Sequence, residues 1–186
     1  MEIRAYEAAT DLAWAEAILD AEFGGRLQAR RGGLMDPLAA GAAGCVAVVG
    51  GKPVGLVTWL AGGELSSAGE AEVRVLVVAE EMRRQGAGTA LLDAAAGALA
   101  ATGVARAWLV TTNDNLEALG FYQRRGWRLT ALHPGAVDDA RRALKPSIAA
   151  VGASGIPVRD ELVLALDLRP TPDPGAHLTS ISTDLG

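Results

Sequence analysis

A glycine-rich turn joins an apolar, β-branched segment to an alanine-rich segment, and this junction constrains the fold more than any other feature. Residues 73–78, with the sequence VRVLVV, predict a largely buried strand. Residues 89–102 are rich in alanine and leucine and predict a helix. Gly86 and Gly88 lie between the two segments, where glycine permits a tight turn. The junction therefore predicts a strand–turn–helix unit.

The same turn is suited to binding an anion. The first N–H groups of a helix have no partner within the helix, and phosphate groups bind there readily. Gly86 and Gly88 lack a Cβ and allow the backbone to approach an anion closely, while Arg83 and Arg84 add positive charge. A purely steric role for the glycines is the alternative. The stretch has neither a dinucleotide-binding Gly-x-Gly-x-x-Gly fingerprint nor the Gly-Lys-Ser/Thr of a P-loop.

Two motifs resemble those of the GNAT superfamily of acyltransferases. The spacing Arg-x-x-Gly-x-Gly over residues 83–88 is similar to the acetyl-CoA signature of that family. A second block has the spacing Asn115-x-x-Ala118-x-x-Phe121-Tyr122-x-x-x-Gly126-Trp127. It resembles the family's later motif, in which an Asn and a Tyr flank the thiol end of the cofactor. The resemblance covers most of residues 3–169 and implies acetyl transfer from acetyl-CoA to a primary amine, by direct attack in a ternary complex.

The resemblance also implies which residues hold acetyl-CoA. The strands at residues 73–78 and 105–111 are expected to splay apart, which leaves backbone groups that need partners. The backbone of Leu76, Val77 and Val78 is expected to pair with the pantetheine amides. The pyrophosphate is expected to contact the turn, namely Arg83, Arg84, Gln85, Gly86, Ala87, Gly88 and Thr89. Asn115 is expected to hold the cofactor or its bound water, and it can equally cap the helix that begins at residue 116.

The resemblance implies two catalytic side chains. Tyr122 matches the usual general acid of the family, because a phenol near the sulfur can protonate the departing thiolate. Packing of Tyr122 on the cofactor or the core is the alternative. Glu72 lies 11 residues before Arg83, the offset of the catalytic glutamate in GNAT histone acetyltransferases, and is the candidate base. A glutamate that pairs with Arg74 and only solubilises the strand end is the alternative.

Composition narrows the function classes. The formal net charge is −5, and the 17 Lys and Arg form no basic run longer than two residues, so a nucleic-acid partner is not indicated. Cys45 is the only cysteine, which excludes an internal disulfide and a multi-cysteine metal site, and no metal is expected. An export leader and a membrane helix are not recognisable, so we expect a cytoplasmic protein without a membrane partner. The sequence is compatible with a homodimer.

The element order predicts an α/β fold, with a mixed, mostly antiparallel central sheet and helices on both faces. Strands are expected at residues 2–6, 45–49, 53–60, 73–78, 105–111, 127–132 and 161–168, and the main helices at 11–23, 89–102 and 116–125. Asp11 is the expected cap of the first helix, and Gly50-Gly51 predicts a hairpin. Residues 24–44 contain only short helical candidates. We expect one domain over residues 1–169 and a disordered tail over 170–186.

Residues 133–160 form an insertion relative to a minimal member of the family. Residues 138–145 predict a short helix that ends at Pro146, and residues 152–157 predict a loop. The basic side chains of this segment either bind an acidic substrate or pair with neighbouring aspartates; they are Arg141, Arg142, Lys145 and Arg159, and the aspartates are Asp138, Asp139 and Asp160. The amine acceptor, whether a small molecule or a peptide, is not specified. A sensor or scaffold that binds acyl-CoA without turnover is the alternative function.

Overall fold

The computed structural model describes residues 1–63 and 66–168, so the predicted tail at residues 170–186 lies outside the described residues. The elements in chain order are β1 (Glu2–Ala5), α1 (Ala8–Phe23), β2 (Gln28–Arg30), β3 (Gly33–Met35), β4 (Ala43–Val49), β5 (Lys52–Ala61), β6 (Glu70–Val78), α2 (Ala87–Ala101), β7 (Arg106–Thr112), α3 (Leu116–Gln123), β8 (Arg128–His133), α4 (Ala136–Ala143) and β9 (Glu161–Asp167). A 3-10 turn at Glu80–Met82 precedes α2. The predicted strands and helices are confirmed to within three residues at each end.

Seven of the strands form one sheet, in the order β1-β4-β5-β6-β7-β9-β8. Only β6 and β7 pair in parallel; the other neighbours in this sheet are antiparallel. Neighbouring residues on β5 face opposite sides of the sheet: Leu56 packs in the cluster with α1, and Val57 packs in the cluster with α2. The predicted α/β fold with a mixed, mostly antiparallel sheet and helices on both faces is therefore confirmed.

A β-bulge interrupts β6 in the middle of the sheet. Thr58 of β5 pairs with Val75 and Trp59 pairs with Val73, so Arg74 has no partner across the ladder. The extra residue shifts the side-chain alternation. Val73 packs in the cluster that contains α2, whereas Val75 packs in the cluster that contains α1. As a result, the side chain of Arg74 leaves the sheet on the same side as Val75.

The predicted splay between β6 and β7 is present. The two strands pair only where Glu70, Ala71 and Glu72 face Arg106, Ala107 and Trp108. Beyond Glu72, β7 continues to pair with β9 as far as Thr112, while β6 continues to pair with β5 as far as Val78. The facing edges of β6 and β7 therefore present backbone N–H and C=O groups that need other partners.

The start of α1 differs from the prediction. The helix begins at Ala8, with Glu7 as the N-cap residue, so the prediction of Asp11 as the cap was wrong. Asp11 is buried in the first turn, where it accepts two hydrogen bonds from Arg4 at 2.7 Å and one from the Glu7 N–H at 2.9 Å. The hydrogen bonds from Arg4 lower the pKa of Asp11. The carboxylate thus satisfies a backbone N–H at the helix start from inside the helix rather than from the cap position.

Residues 24–44 also differ from the prediction, because they contain a two-stranded hairpin instead of short helices. β2 and β3 pair through a turn in which Arg31 has φ 52° and Gly32 has φ 78°. Strands of three residues are too short to give a recognisable alternation, and an arginine with positive φ is not a turn signal. The predicted Gly50-Gly51 hairpin is confirmed, with φ of 57° and 75°. None of the described helices has the length and apolarity needed to cross a bilayer.

Candidate functional site

The splay between β6 and β7 opens into a cleft of about 520 Å³. Five segments form its walls: the end of α1, the strand β2, the central part of β6, the end of β7 with α3, and the insertion at residues 133–160. The hairpin and the insertion were the two segments that the sequence explained least. The structure brings them together at the cleft, which Asn115 and Tyr122 of the second motif also border.

The glycine-rich turn leaves an open helix N-terminus. Gly86 is the N-cap residue of α2 with φ 90°, and no side chain caps the helix. Within the described part of the chain, the backbone N–H groups of Gly86, Ala87 and Gly88 make no hydrogen bond. A Cβ on Gly86 would meet no atom within 4 Å, whereas a Cβ on Gly88 would lie 3.5 Å from the ring of Phe121. Gly86 thus borders open space, and the turn can accept an anion.

The predicted basic residues of the turn have different surroundings. Arg83 forms an ion pair with Glu22 of α1 and donates to the carbonyl of Val78 at 3.1 Å. Arg84 is exposed, has φ 60° and forms no ion pair within residues 1–63 and 66–168. Gln85 donates to a carbonyl of the preceding 3-10 turn at 2.9 Å. Arg84 is therefore the side chain of the turn that is free to contact an anion.

A further arginine reaches the same helix end. Arg125 donates to the hydroxyl of Thr89, and its guanidinium lies 3.8 Å from the ring centre of Phe121. It also donates to the Phe121 carbonyl at 3.0 Å. Arg125 brings a positive charge to the first turn of α2 from the end of α3. The sequence signal for it is the Arg124-Arg125 pair inside the second motif, which was not singled out.

Tyr122 lies on α3 and borders the cleft. Its ring packs edge-on against Phe121 at 5.3 Å between centres and tilted against Trp127 at 5.8 Å. Burial raises the pKa of Tyr122 to about 12, and the nearby positive charge of Arg30 opposes this rise. The phenol makes no hydrogen bond with the described part of the chain, so it is a protonated donor at neutral pH without a protein acceptor.

Asn115 and Asn113 have separate roles at the end of β7. The side-chain oxygen of Asn115 accepts the Ala118 N–H at 3.2 Å, which confirms that Asn115 caps α3, and the residue also borders the cleft. Asn113 holds the insertion instead: its oxygen accepts the N–H groups of Arg159 and Asp160, both at 2.9 Å. Cofactor contact by the Asn115 amide stays a prediction.

Glu72 is buried, with 5% of its surface exposed. Its carboxylate lies 3.1 Å from a terminal nitrogen of Arg30 and 3.4 Å from Nε of Arg74. Neither contact is aligned as a hydrogen bond. The two arginines border the cleft, and Glu72 lies behind them. The alternative in which Glu72 pairs with Arg74 is thus present in the structure. The role of Glu72 as base stays a prediction.

Backbone carbonyls hold Arg30 and Arg74 in place. Arg30 is 8% exposed and donates to the carbonyl of Arg74, while Arg74 donates to the carbonyl of Asp36 at 2.9 Å. Burial lowers the pKa of Arg30, and the negative charge of Glu72 opposes this effect. The sequence could not indicate this pair, because the hairpin that carries Arg30 and the bulge that redirects Arg74 were not predicted.

Asp114 is a second carboxylate at the cleft. One of its oxygens is buried without a hydrogen-bond partner among the described residues. The other lies 1.9 Å from where a Cβ on Gly152 would be, so the insertion approaches Asp114 closely only because residue 152 is glycine. Across residues 1–63 and 66–168, His, Cys, Asp and Glu form no group of three or more that could hold a metal ion.

Most of the charges of the insertion are used within the protein. Arg141 pairs with Asp138 and Arg142 pairs with Asp139, as the second alternative predicted. Asp160 does not pair with an arginine but accepts the N–H of Gly135 at 2.8 Å, at the start of α4. Lys145 donates to the carbonyls of Phe23 and Leu27, at 2.9 and 2.8 Å. Lys145 therefore ties the insertion to the end of α1 and closes one wall of the cleft.

Comparison with known proteins gives the same fold and a family. The model of the acetyltransferase (GNAT) family matches residues 10–127. The uncharacterised protein YxbD of Bacillus subtilis strain 168 is 38% identical over 116 residues, which are 62% of this chain and 68% of YxbD. An IAA acetyltransferase from Bacillus cereus ATCC 14579 is similar in structure, with a TM-score of 0.68 and 20% identity over 89% of this chain and 98% of that chain. A Bacillus subtilis acetyltransferase in complex with CoA has a TM-score of 0.64 and 19% identity over 89% and 97%.

Proposed function

The chain belongs to the GNAT family of acetyltransferases, and from this premise we propose that it transfers an acetyl group from acetyl-CoA to a primary amine. The observation that supports this most directly is the splayed gap between β6 and β7. The gap adjoins the open N-terminus of α2, borders the phenol of Tyr122 and continues into a cleft with room for a second substrate. The structurally similar Bacillus subtilis acetyltransferase was crystallised with CoA.

The donor site follows from the unpaired backbone. Leu76, Val77 and Val78 lie on the part of β6 whose edge no longer pairs with β7, so their N–H and C=O groups suit the amides of pantetheine. The pyrophosphate binds the N–H groups of Gly86 to Thr89, where the helix dipole favours negative charge. Arg84 adds charge from the turn. In the proposed complex, the thioester lies between the two strands, beside Tyr122.

The reaction is a direct attack within a ternary complex. The neutral amine attacks the thioester carbonyl, a C–N bond forms, and the C–S bond then breaks to release CoA. The nitrogen loses a proton to the base, for which we propose Glu72, reached through water. Tyr122 donates a proton to the departing sulfur. Cys45, the only cysteine, does not border the cleft, so the arrangement favours direct transfer over an acyl-enzyme.

The test measures binding and turnover separately. We expect calorimetry to detect acetyl-CoA binding, and we expect thiol release from acetyl-CoA to accelerate with at least one member of a panel of primary amines. Binding without accelerated thiol release on any amine would favour the alternative, a sensor or scaffold that binds acyl-CoA. Absence of binding to CoA and to acetyl-CoA would contradict both functions.

The base can be assigned by comparing two matched variants. Glu72→Gln is expected to lower kcat by on the order of 100-fold and to remove the acidic limb of its pH profile, because an amide cannot accept the proton. Asp114→Asn serves as the comparison, since Asp114 borders the cleft and Glu72 lies behind Arg30 and Arg74. An acidic limb that persists in Glu72→Gln and disappears in Asp114→Asn would move the base role to Asp114.

A further inference from the structure

We propose that the acceptor carries a carboxylate next to its amine, and that Arg30 and Arg74 bind this carboxylate. The acceptor is then an amino acid or a molecule that ends in one. This inference rests on the proposed function, because it names the second substrate of the same site. Its support comes from the charge, the rigidity and the position of the two guanidinium groups.

The charged hydrogen bonds of the arginine pair are only partly formed within the described residues. Arg30 and Arg74 share the single carboxylate of Glu72, and neither contact is aligned as a hydrogen bond. Both oxygens of the nearby Glu161 accept the backbone N–H of Arg31, at 3.0 and 3.1 Å. Burial lowers the pKa of Arg30, attraction to Glu72 and Glu161 opposes this effect, and repulsion from Arg74 adds to it. Guanidinium donors without aligned partners gain charged hydrogen bonds when an anion enters the cleft.

The arginine pair is rigid and still has donors to offer. The carbonyls of Arg74 and Asp36 accept hydrogen bonds from Arg30 and Arg74, respectively, so both side chains are fixed before a substrate binds. The second terminal nitrogen of Arg74 is accessible and makes no hydrogen bond in the part of the chain that the structure describes. Fixed guanidinium donors match the two oxygens of a carboxylate, and little entropy is lost when they bind it.

The position of the pair explains why the amine and the carboxylate belong to one molecule. Arg30 is close enough to Tyr122 to oppose the rise in the pKa of the phenol. In an α-amino acid, one carbon atom separates the amine from the carboxylate. A carboxylate held by Arg30 and Arg74 therefore keeps the amine near Tyr122, where the thioester lies in the proposed complex. The positive charge also favours the neutral amine over ammonium, and only the neutral amine can attack.

Other basic groups near the cleft are already used. Arg141 and Arg142 pair with aspartates of their own helix, and Lys145 donates to two carbonyls. Arg159, the fourth basic side chain of the insertion, is exposed and does not border the cleft. The acidic-substrate hypothesis that the sequence placed on the insertion therefore applies instead to Arg30 and Arg74. These two side chains come from the hairpin and from the bulge of β6.

The first test compares acceptors on the unchanged protein. Each of a panel of L-amino acids is assayed against its own carboxamide, which keeps the amine and the side chain but lacks the negative charge. We expect kcat/KM to be about 10- to 100-fold higher for the preferred amino acid than for its carboxamide, the loss typical of one charged hydrogen-bond partner. Equal kcat/KM for all such pairs would overturn the inference while leaving the proposed acetyl transfer intact. No accelerated thiol release with any amine, carboxamides included, would instead count against the proposed function.

The second test changes the arginine. Arg74→Gln is expected to lower the ratio of kcat/KM for the amino acid to kcat/KM for its carboxamide about tenfold or more, mainly through KM for the amino acid. Arg74→Lys retains the charge and should recover part of the preference. Arg142→Gln is the matched control, because it removes one positive charge from an exposed pair outside the cleft. Equal losses for both acceptors in Arg74→Gln would show a structural role only and would overturn the inference.

Discussion

Replacement of Gly86 by aspartate is expected to abolish binding of CoA while leaving the fold intact. Gly86 is the N-cap residue of α2, and a side chain at this position extends into open space where the pyrophosphate is proposed to bind. Like charges about 5 Å apart near a protein surface repel by about 3 kcal/mol, which corresponds to an affinity loss on the order of 100-fold or more. Calorimetric titration with CoA measures the loss.

Two controls separate charge from backbone strain. Gly86 has φ 90°, so any side chain strains the turn, but asparagine tolerates positive φ better than most residues and carries no charge. We expect Gly86→Asn to retain much of the affinity that Gly86→Asp loses. Gly97→Asp places the same charge at an exposed position of α2, about three turns from Gly86, and should bind CoA normally. Unchanged CoA affinity in Gly86→Asp would remove the pyrophosphate site from this turn.

Replacement of Tyr122 by phenylalanine is expected to lower kcat by about 100- to 10,000-fold, the range typical of a positioned proton donor. Affinity for acetyl-CoA should change little, because the ring that packs against Phe121 and Trp127 is retained. Tyr6→Phe is the matched control, since it removes the other phenol of the chain, which does not border the cleft. Steady-state kinetics with saturating acetyl-CoA measures the effect. A kcat within about threefold of the unchanged protein would mean that Tyr122 only packs.

The pH profile gives an independent check on Tyr122. Burial raises the pKa of Tyr122 to about 12, above the ordinary value near 10 for tyrosine. The phenol must be protonated to donate, so its activity is lost only as the pH rises toward 12. We therefore expect that kcat of the unchanged protein does not decline near pH 10 because of Tyr122. Any decline near pH 10 should also be present in Tyr122→Phe.

The framework of the fold could be predicted because its strands are long or strongly β-branched. The β-branched run at residues 73–78, the Gly50-Gly51 turn and the alanine-rich helix each depend on neighbours along the chain. The two motifs likewise occupy continuous segments, so Gly86 and Tyr122 could be assigned without knowledge of the tertiary structure. The residues that face the proposed donor were therefore accessible from the sequence.

The residues that face the proposed acceptor were not accessible in this way. Arg30 lies in a hairpin strand of three residues, and Arg74 lies at a bulge that depends on pairing with β5. Asp114 borders the cleft only because Gly152, 38 residues later, allows the insertion to approach. Each of these positions is set by contacts between segments distant in the chain. Local propensity carries little information about such contacts.

The bulge at Arg74 divides β6 into two segments, and the side-chain alternation of the first segment is shifted relative to that of the second. If Arg74 instead paired with Trp59 in an unbroken ladder, every preceding residue of the strand would turn over. The carboxylate of Glu72 would then project toward the cluster that contains α2, and Val73 would take its place beside the hairpin. One inserted residue thus lets a single strand offer Leu76 to Val78 to the proposed donor and Glu72 and Arg74 to the proposed acceptor.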